Sequence, residues 1–123
     1  MHYLLDGYNL AHWLAGGTDL VPEQLRTLLL EHLATRVPAD ALSVRIWWDV
    51  RRGTSLLGSN SYLDWCSMHF VPDADEAIID AVWASDEPRR LLVVSADREV
   101  VGKCKQLGAR VSDPGSLLGR RPR

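Results

Sequence analysis

Four aspartates of this sequence, Asp6, Asp49, Asp75 and Asp97, stand at or just past apolar runs that read as strands. Examples are Tyr3-Leu4-Leu5-Asp6, Ile46-Trp47-Trp48-Asp49 and Val93-Val94-Ser95-Ala96-Asp97. In an open parallel sheet every strand points its carboxyl end to the same edge, and ligands bind in the crevice there. Four carboxylates distant in sequence are therefore expected on one rim. Carboxylates at close range repel and raise one another's pKa, so a fold gathers them where something positive occupies the centre. Mg2+ or Mn2+ is the natural occupant, since hard cations prefer oxygen ligands and magnesium keeps room for water and substrate phosphate. Two such ions about 3.5–4 Å apart can activate a water and stabilise both the attacking and departing oxygens of a phosphodiester. The expected chemistry is metal-assisted phosphodiester hydrolysis, with the four aspartates as metal ligands and catalytic set.

Each acidic residue also has a plainer reading. Asp6 before Gly7 can start a turn, and Asp49 and Asp97 can cap helices. Asp73 and Glu76, three residues apart, match a capping box, which leaves Asp75 as the better ligand. Asp80, one helical turn past Glu76, fits a solvated helix face. Asn9 and Ser95 are neutral candidates for contact with substrate: Asn9 can orient a phosphate or a metal-held water, or cap a helix, and Ser95 at a strand end can act likewise. Arg26 and Arg98 are within the same segments and can meet phosphate.

The elements that must position these residues alternate from end to end, with no repeat or low-complexity tract. Strands are predicted over residues 2–6, 43–49, 66–71, 90–95 and 109–112. In the second, Val44, Ile46 and Trp48 alternate with Ser43, Arg45 and Trp47; in the third, Cys66, Met68 and Phe70 share a face. A helix is predicted over 22–36, where Leu25, Leu28, Leu29, His32 and Leu33 share a face and Pro22 suits the first turn. A second follows Asp73 with Ile78, Ile79, Ala81 and Val82, and a third carries Val100, Val101, Cys104 and Leu107 up to a left-handed cap at Gly108. Asp113-Pro114-Gly115 reads as a turn, and residues 50–65 as a connection well above the usual median of about 4–6 residues. The predicted class is α/β, a three-layer α/β/α sandwich with a mainly parallel central sheet. The expected domain covers residues 1–117, followed by a basic, disordered tail over 118–123.

At 123 residues, 46% hydrophobic and 24% charged, the chain suits a single soluble globular domain. The two cysteines, Cys66 and Cys104, sit on apolar stripes and outside any metal-binding spacing, so both read as reduced core residues. The net charge of −2 argues against a protein that holds nucleic acid by global electrostatics. It suits a carboxylate site that metal ions neutralise. No basic leader or membrane-length apolar run is present, so a cytoplasmic protein away from membranes is expected.

The residues also resemble a known family, the NYN branch of the PIN-like nucleases, most closely its YacP-like members. The resemblance rests on Leu5-Asp6-Gly7-Tyr8-Asn9, Trp48-Asp49, Ala74-Asp75-Glu76-Ala77-Ile78, and Val94-Ser95-Ala96-Asp97-Arg98-Glu99 with Leu107-Gly108-Ala109, in order across nearly the whole chain. It implies a PIN-like sandwich, divalent metal held by Asp6, Asp49, Asp75 and Asp97 with Asn9 as polar partner, and endonucleolytic cleavage of RNA. Some members act on messenger RNA at the ribosome, so a translation-linked context is implied by resemblance alone. The chain departs from the YacP-like pattern in looking shorter and in carrying Ile79, with Asp80 beside it, where a further acidic residue is expected.

A flexible, single-stranded RNA needs phosphate contacts and stacking surfaces. Arg51, Arg52, Asn60, Tyr62 and Trp65 in the long connection, with Arg98, are the expected substrate contacts, and Arg120, Arg121 and Arg123 add basic charge at the end. The alternative is an RNA-binding or regulatory module of the same fold, although a pure binder has no need of repulsive carboxylates. A haloacid-type phosphatase would carry a second aspartate where Tyr8 stands, and a receiver domain an acidic pair at Leu5-Asp6 and a lysine near Arg110. A toxin ribonuclease would share the chemistry.

Overall fold

A computed structural model of the protein describes residues 1–119. Among them the chain runs β1 (His2–Asp6), α1 (Gly7–Ala15), α2 (Pro22–Ala34), β2 (Ser43–Asp49), β3 (Asn60–Leu63), β4 (Cys66–Val71), α3 (Ala74–Trp83), β5 (Leu91–Val94), α4 (Arg98–Gln106), β6 (Arg110–Ser112) and α5 (Pro114–Leu118). The strands form a six-stranded sheet in the order β3-β4-β2-β1-β5-β6. All neighbours are parallel except β3 and β4.

The alternation read from β2 and β4 separates the two faces of the sheet. Tyr3, Leu5, Val44, Ile46, Trp48, Met68 and Phe70 face one way and pack with Leu10, Ala11 and Leu14 of α1, Leu25, Leu29 and Leu33 of α2, and Leu118 of α5. Leu4, Trp47, Leu91 and Val93 face the other way, against Ala74, Ile78 and Val82 of α3 and Val100 and Cys104 of α4. This is the three-layer α/β/α arrangement expected from the sequence. Both cysteines are free and buried, and burial pushes each thiol up to about 11, so they stay protonated at neutral pH. No helix of the described residues is long and apolar enough to cross a membrane.

Three elements depart from the expectation. α1 is not among the predicted elements: it starts directly at Gly7 with Leu10, Ala11 and Leu14 as its buried stripe, which also removes the alternative turn reading of Asp6-Gly7. Gly7 is required by close approach, since a Cβ there would lie 2.5 Å from the Trp48 ring and 2.8 Å from the Trp47 carbonyl oxygen. The long connection contains β3, hairpinned to β4 through Asp64 and Trp65; all four β3 residues are exposed, so no alternation marks the strand. Asp113-Pro114-Gly115 opens α5, because the Asp113 carboxylate accepts from Ser116 N–H at 2.9 Å and proline suits the first helical turn. The packed chain thus extends past the boundary expected at 117, with Leu118 fully buried and its carbonyl 2.6 Å from His32 Nε2. Gly108 does cap α4 with a positive φ of 101°, as read from the sequence. Arg120, Arg121 and Arg123 lie outside the described residues.

The glycines yield a paired prediction. Gly7→Ala should destabilise the fold by about 1–3 kcal/mol through overpacking against Trp48. Gly102→Ala in α4, where a Cβ meets nothing within 4 Å, should stabilise by up to about 1 kcal/mol. Urea melts of both variants test this, and equal midpoints would refute the close-approach account.

Candidate active site

The connections leave β1 and β5 in opposite directions. β1 leads through α1 and α2 to β2 on one side, and β5 leads through α4 to β6 on the other. A crevice opens at the carboxyl ends of strands where the order reverses in this way. Asp6, the last residue of β1, lies at that point and is only 4% exposed. The Ser95 hydroxyl, 2% exposed just past β5, donates to Asp6 Oδ2 at 3.2 Å and accepts from Asp97 N–H at 3.0 Å. Across the same gap Asn9 Oδ1 accepts from Ala96 N–H at 2.7 Å. Asn9 and Ser95, read as substrate contacts, thus have these oxygen atoms engaged in holding the segment that presents Asp97.

The remaining aspartates come from three further elements. Asp49 ends β2 on the same sheet face as Asp6, and its carboxylate accepts from the backbone N–H of Ala74 at the start of α3. Asp73 caps that helix by accepting from Glu76 N–H at 3.1 Å, as expected, which leaves Asp75 in the first turn free of capping duty. Asp97 is the N-cap of α4, its Oδ1 accepting from Glu99 N–H at 2.9 Å and Val100 N–H at 3.4 Å. The capping reading therefore holds for Asp97, with Oδ2 left over.

Electrostatics tie the four together. Burial, then the charges of Asp75 and Asp49, push the Asp6 carboxyl up to about 7, against a smaller lowering by the Ser95 hydrogen bond. Burial also raises Asp75; the charges of Asp97, Asp49 and Asp73 add to this, while a hydrogen bond from protonated Asp6 opposes it. Asp6 is thus acted on by Asp75 and Asp49, and Asp75 by Asp97, Asp49 and Asp73. Among the described residues, however, no three His, Cys, Asp or Glu side chains are grouped so as to hold an ion as they stand. The donor chemistry nonetheless fits a hard cation. Burial and neighbouring charge raise the pKa of both Asp6 and Asp75, a penalty that a cation would relieve, and magnesium needs only one or two carboxylates beside water and phosphate.

Two clefts flank the set. One of about 430 Å3 lies between Tyr8, His12, Pro22, Leu25, Arg26, Asp49, Val50, Arg51, Thr54 and Leu56. The other, of about 560 Å3, runs from Ser95, Ala96 and Arg98 to Asp113 and Pro114. Arg51 and Arg98 therefore border the rim, as expected, while Arg52 is exposed and lines neither cleft. Tyr62 is a correction. It is 72% exposed but sits on β3 opposite Ser67, which pairs with Arg45, four residues back from Asp49. At roughly 3.3 Å per residue that is about 13 Å from the rim along the strand, because the hairpin folds the connection back along β4. Trp65 packs against the core, and Asn60 is bonded to His69 Nδ1. Glu76 and Asp80 are exposed on α3, and Ile79 packs on the core. Tyr8 and His12 were missed as cleft residues; their signal was the helical stripe of α1, an element not predicted from the sequence.

No family model and no curated protein matches this chain. Two crystal structures of Rae1 (YacP) from Bacillus subtilis share its fold. One has a TM-score of 0.72 at 20% identity, covering 96% of this chain and 71% of the other. The second, a tryptophan-to-leucine variant, has a TM-score of 0.70 at 20% identity, covering 96% and 73%. The α/β/α sandwich expected from the sequence is thus a fold shared with Rae1 (YacP).

Asp6 sets a pH-dependent stability. Its folded pKa of about 7 lies above the ordinary 3.8. The stability it contributes is complete below about pH 4 and is lost as pH rises through 7, an effect on the order of a few kcal/mol. Asp6→Asn should therefore melt several degrees higher than the parent at pH 8 in chelator, with the gap closing towards pH 4. A gap that does not change with pH would refute this.

Proposed function

We propose that this protein is a divalent-metal-dependent endoribonuclease that hydrolyses RNA phosphodiester bonds at the rim formed by Asp6, Asp49, Asp75 and Asp97. The observation that carries the reading is the elevated pKa of buried Asp6 under the charges of Asp75 and Asp49. Such a cluster is unfavourable unless a cation compensates it, and active sites are where shifts of this size concentrate. Sharing the fold of Rae1 (YacP) supports the choice of RNA, as do the YacP-like motifs that align with the rim. The substrate is read as single-stranded, since the rim is an open edge and an unpaired strand can lie along it. A cytoplasmic, translation-linked setting rests on the YacP-like resemblance alone.

Asp6 and Asp75, with Asp49 and Asp97 beside them, would hold Mg2+ or Mn2+. When bound, such an ion supplies Lewis-acid polarisation of the phosphodiester and activation of the attacking water. The protein's own groups do the rest. Ion binding competes with the proton that the raised pKa leaves on Asp6, so ion affinity should strengthen as pH rises towards 7. Ser95 fixes the Asp6 carboxylate and steadies the Asp97 segment, and Asn9 locks that segment to α1. Arg51 and Arg98, on opposite sides of the rim, can each meet a backbone phosphate.

Incubation of the parent and Asp6→Asn with single-stranded and structured RNA, in manganese, magnesium or chelator, tests this. Internal cleavage is expected from the parent with ions only, with a loss of more than about 100-fold in the variant. Ser95→Ala should slow cleavage by about 10–100-fold and move the acidic limb of the pH–rate profile upward, since its hydrogen bond lowers the Asp6 pKa; Ser95→Thr should restore both. Equal cleavage by parent and Asp6→Asn, or cleavage that survives chelator, would sink the mechanism. Tight RNA binding without metal-dependent cutting would mark an RNA-binding module instead.

A further inference from the structure

We propose that the cleft between α1, α2 and the segment after β2 is a nucleotide subsite. It would receive one unstacked nucleobase of the RNA, with the adjoining phosphate held by Arg26 and Arg51. The proposal rests on the ribonuclease reading and adds where, on one side of the bond to be cut, the strand is gripped.

The cleft of about 430 Å3 falls within the range of small-molecule sites, roughly 300–1,000 Å3. Its walls supply what a base needs: Pro22, Leu25, Val50 and Leu56 are apolar, and Tyr8 adds an aromatic ring. Tyr8 is held in place from two sides. Its ring stands edge-on to Trp48 with centroids 4.8 Å apart, and its hydroxyl accepts from Arg26 Nη1 at 2.7 Å. Arg26 also lies 5.9 Å from the centroid of the Phe70 ring.

Charge points the same way. The chain is net negative, yet this cleft gathers Arg26 and Arg51 against the single carboxylate of Asp49. The ion pairs among the described residues involve neither arginine, and Arg26 commits only Nη1, to Tyr8, so both keep guanidinium N–H groups for an anion. The cleft beyond Ser95 is different, because there Arg98 is set against Asp113. Asp49 lines the first cleft and belongs to the carboxylate set. A nucleotide seated there would therefore have its phosphate beside the rim. This grip accounts for how an acidic protein would hold a polyanion: locally, at one nucleotide, rather than over a broad basic face.

The test uses the full chain in chelator, so that nothing is cut, with two fluorescent probes read by anisotropy. One is a short abasic ribose-phosphate oligomer, and the other is the same oligomer bearing one adenine. The parent should bind the base-bearing probe about tenfold more tightly. His12→Trp, on the exposed face of α1, and Thr54→Trp, on the facing wall, fill the cleft from opposite sides. Each, once shown to melt as the parent does, should bring that ratio close to one. Arg26→Gln should weaken both probes several-fold. A ratio of one in the parent, or a ratio unchanged in both tryptophan variants, overturns the subsite and leaves the cleavage assay to judge the nuclease reading. An Arg26→Gln protein that binds both probes as the parent does overturns the phosphate assignment. Failure of the parent to bind either probe overturns the subsite and the choice of RNA together.

Discussion

Repulsion among carboxylates at one edge of a parallel sheet is the constraint around which this molecule is built. Asp6 is the extreme case, almost fully buried at the point where the chain connections diverge, with Asp75 and Asp49 acting on it. Burying an ionised group without compensation is costly. The protein meets the cost by a raised Asp6 pKa of about 7, by the Ser95 hydroxyl, and by close packing of the Gly7 backbone against Trp48, where α1 leaves β1 immediately after Asp6.

Helix N-termini supply much of the remaining compensation. Asp49 takes the Ala74 N–H at the head of α3, Asp73 takes Glu76 N–H, and Asp97 takes two N–H groups of α4. Each of these donors would otherwise be an orphan of the first helical turn, and the positive end of the helix favours an anion there. Capping and site-building are therefore one device in this fold. The aspartates that look like ordinary caps when viewed singly are also what bring two helix heads to the rim.

Around this edge the two sides differ. The side of α1 and α2 combines apolar walls with two arginines that make no ion pair among the described residues, whereas the side of α4 and α5 is balanced in charge. On the proposed reading, a strand of RNA crossing the rim would meet a gripping side and a freer one. The two sides are also built differently, since the connection from β1 to β2 carries two helices and the connection from β5 to β6 carries one.

Much of this was legible in the sequence because its causes are local. Alternation in β2 and β4, the stripes of α2, α3 and α4, the caps at Asp73 and Gly108, and an aspartate at or near each strand end all depend on residues a few positions apart. Parallel strands then make strand ends coincide, so the carboxylate rim could be anticipated. What is set between distant segments could not. The order β3-β4-β2-β1-β5-β6, the hairpin that carries Tyr62 away from the rim, and the Asn9 bond to Ala96 depend on partners many residues away. The exposed β3 carries no burial pattern, and Asp6-Gly7 mimics a turn although its glycine answers to a tryptophan forty-one residues later, Trp48. The sequence by itself determined which residues face inward and which aspartates end strands, because those follow from the two-residue and 3.6-residue periods of the backbone. Only the tertiary structure decided the distances between them, because those are set by which strands pair and how tightly the layers pack.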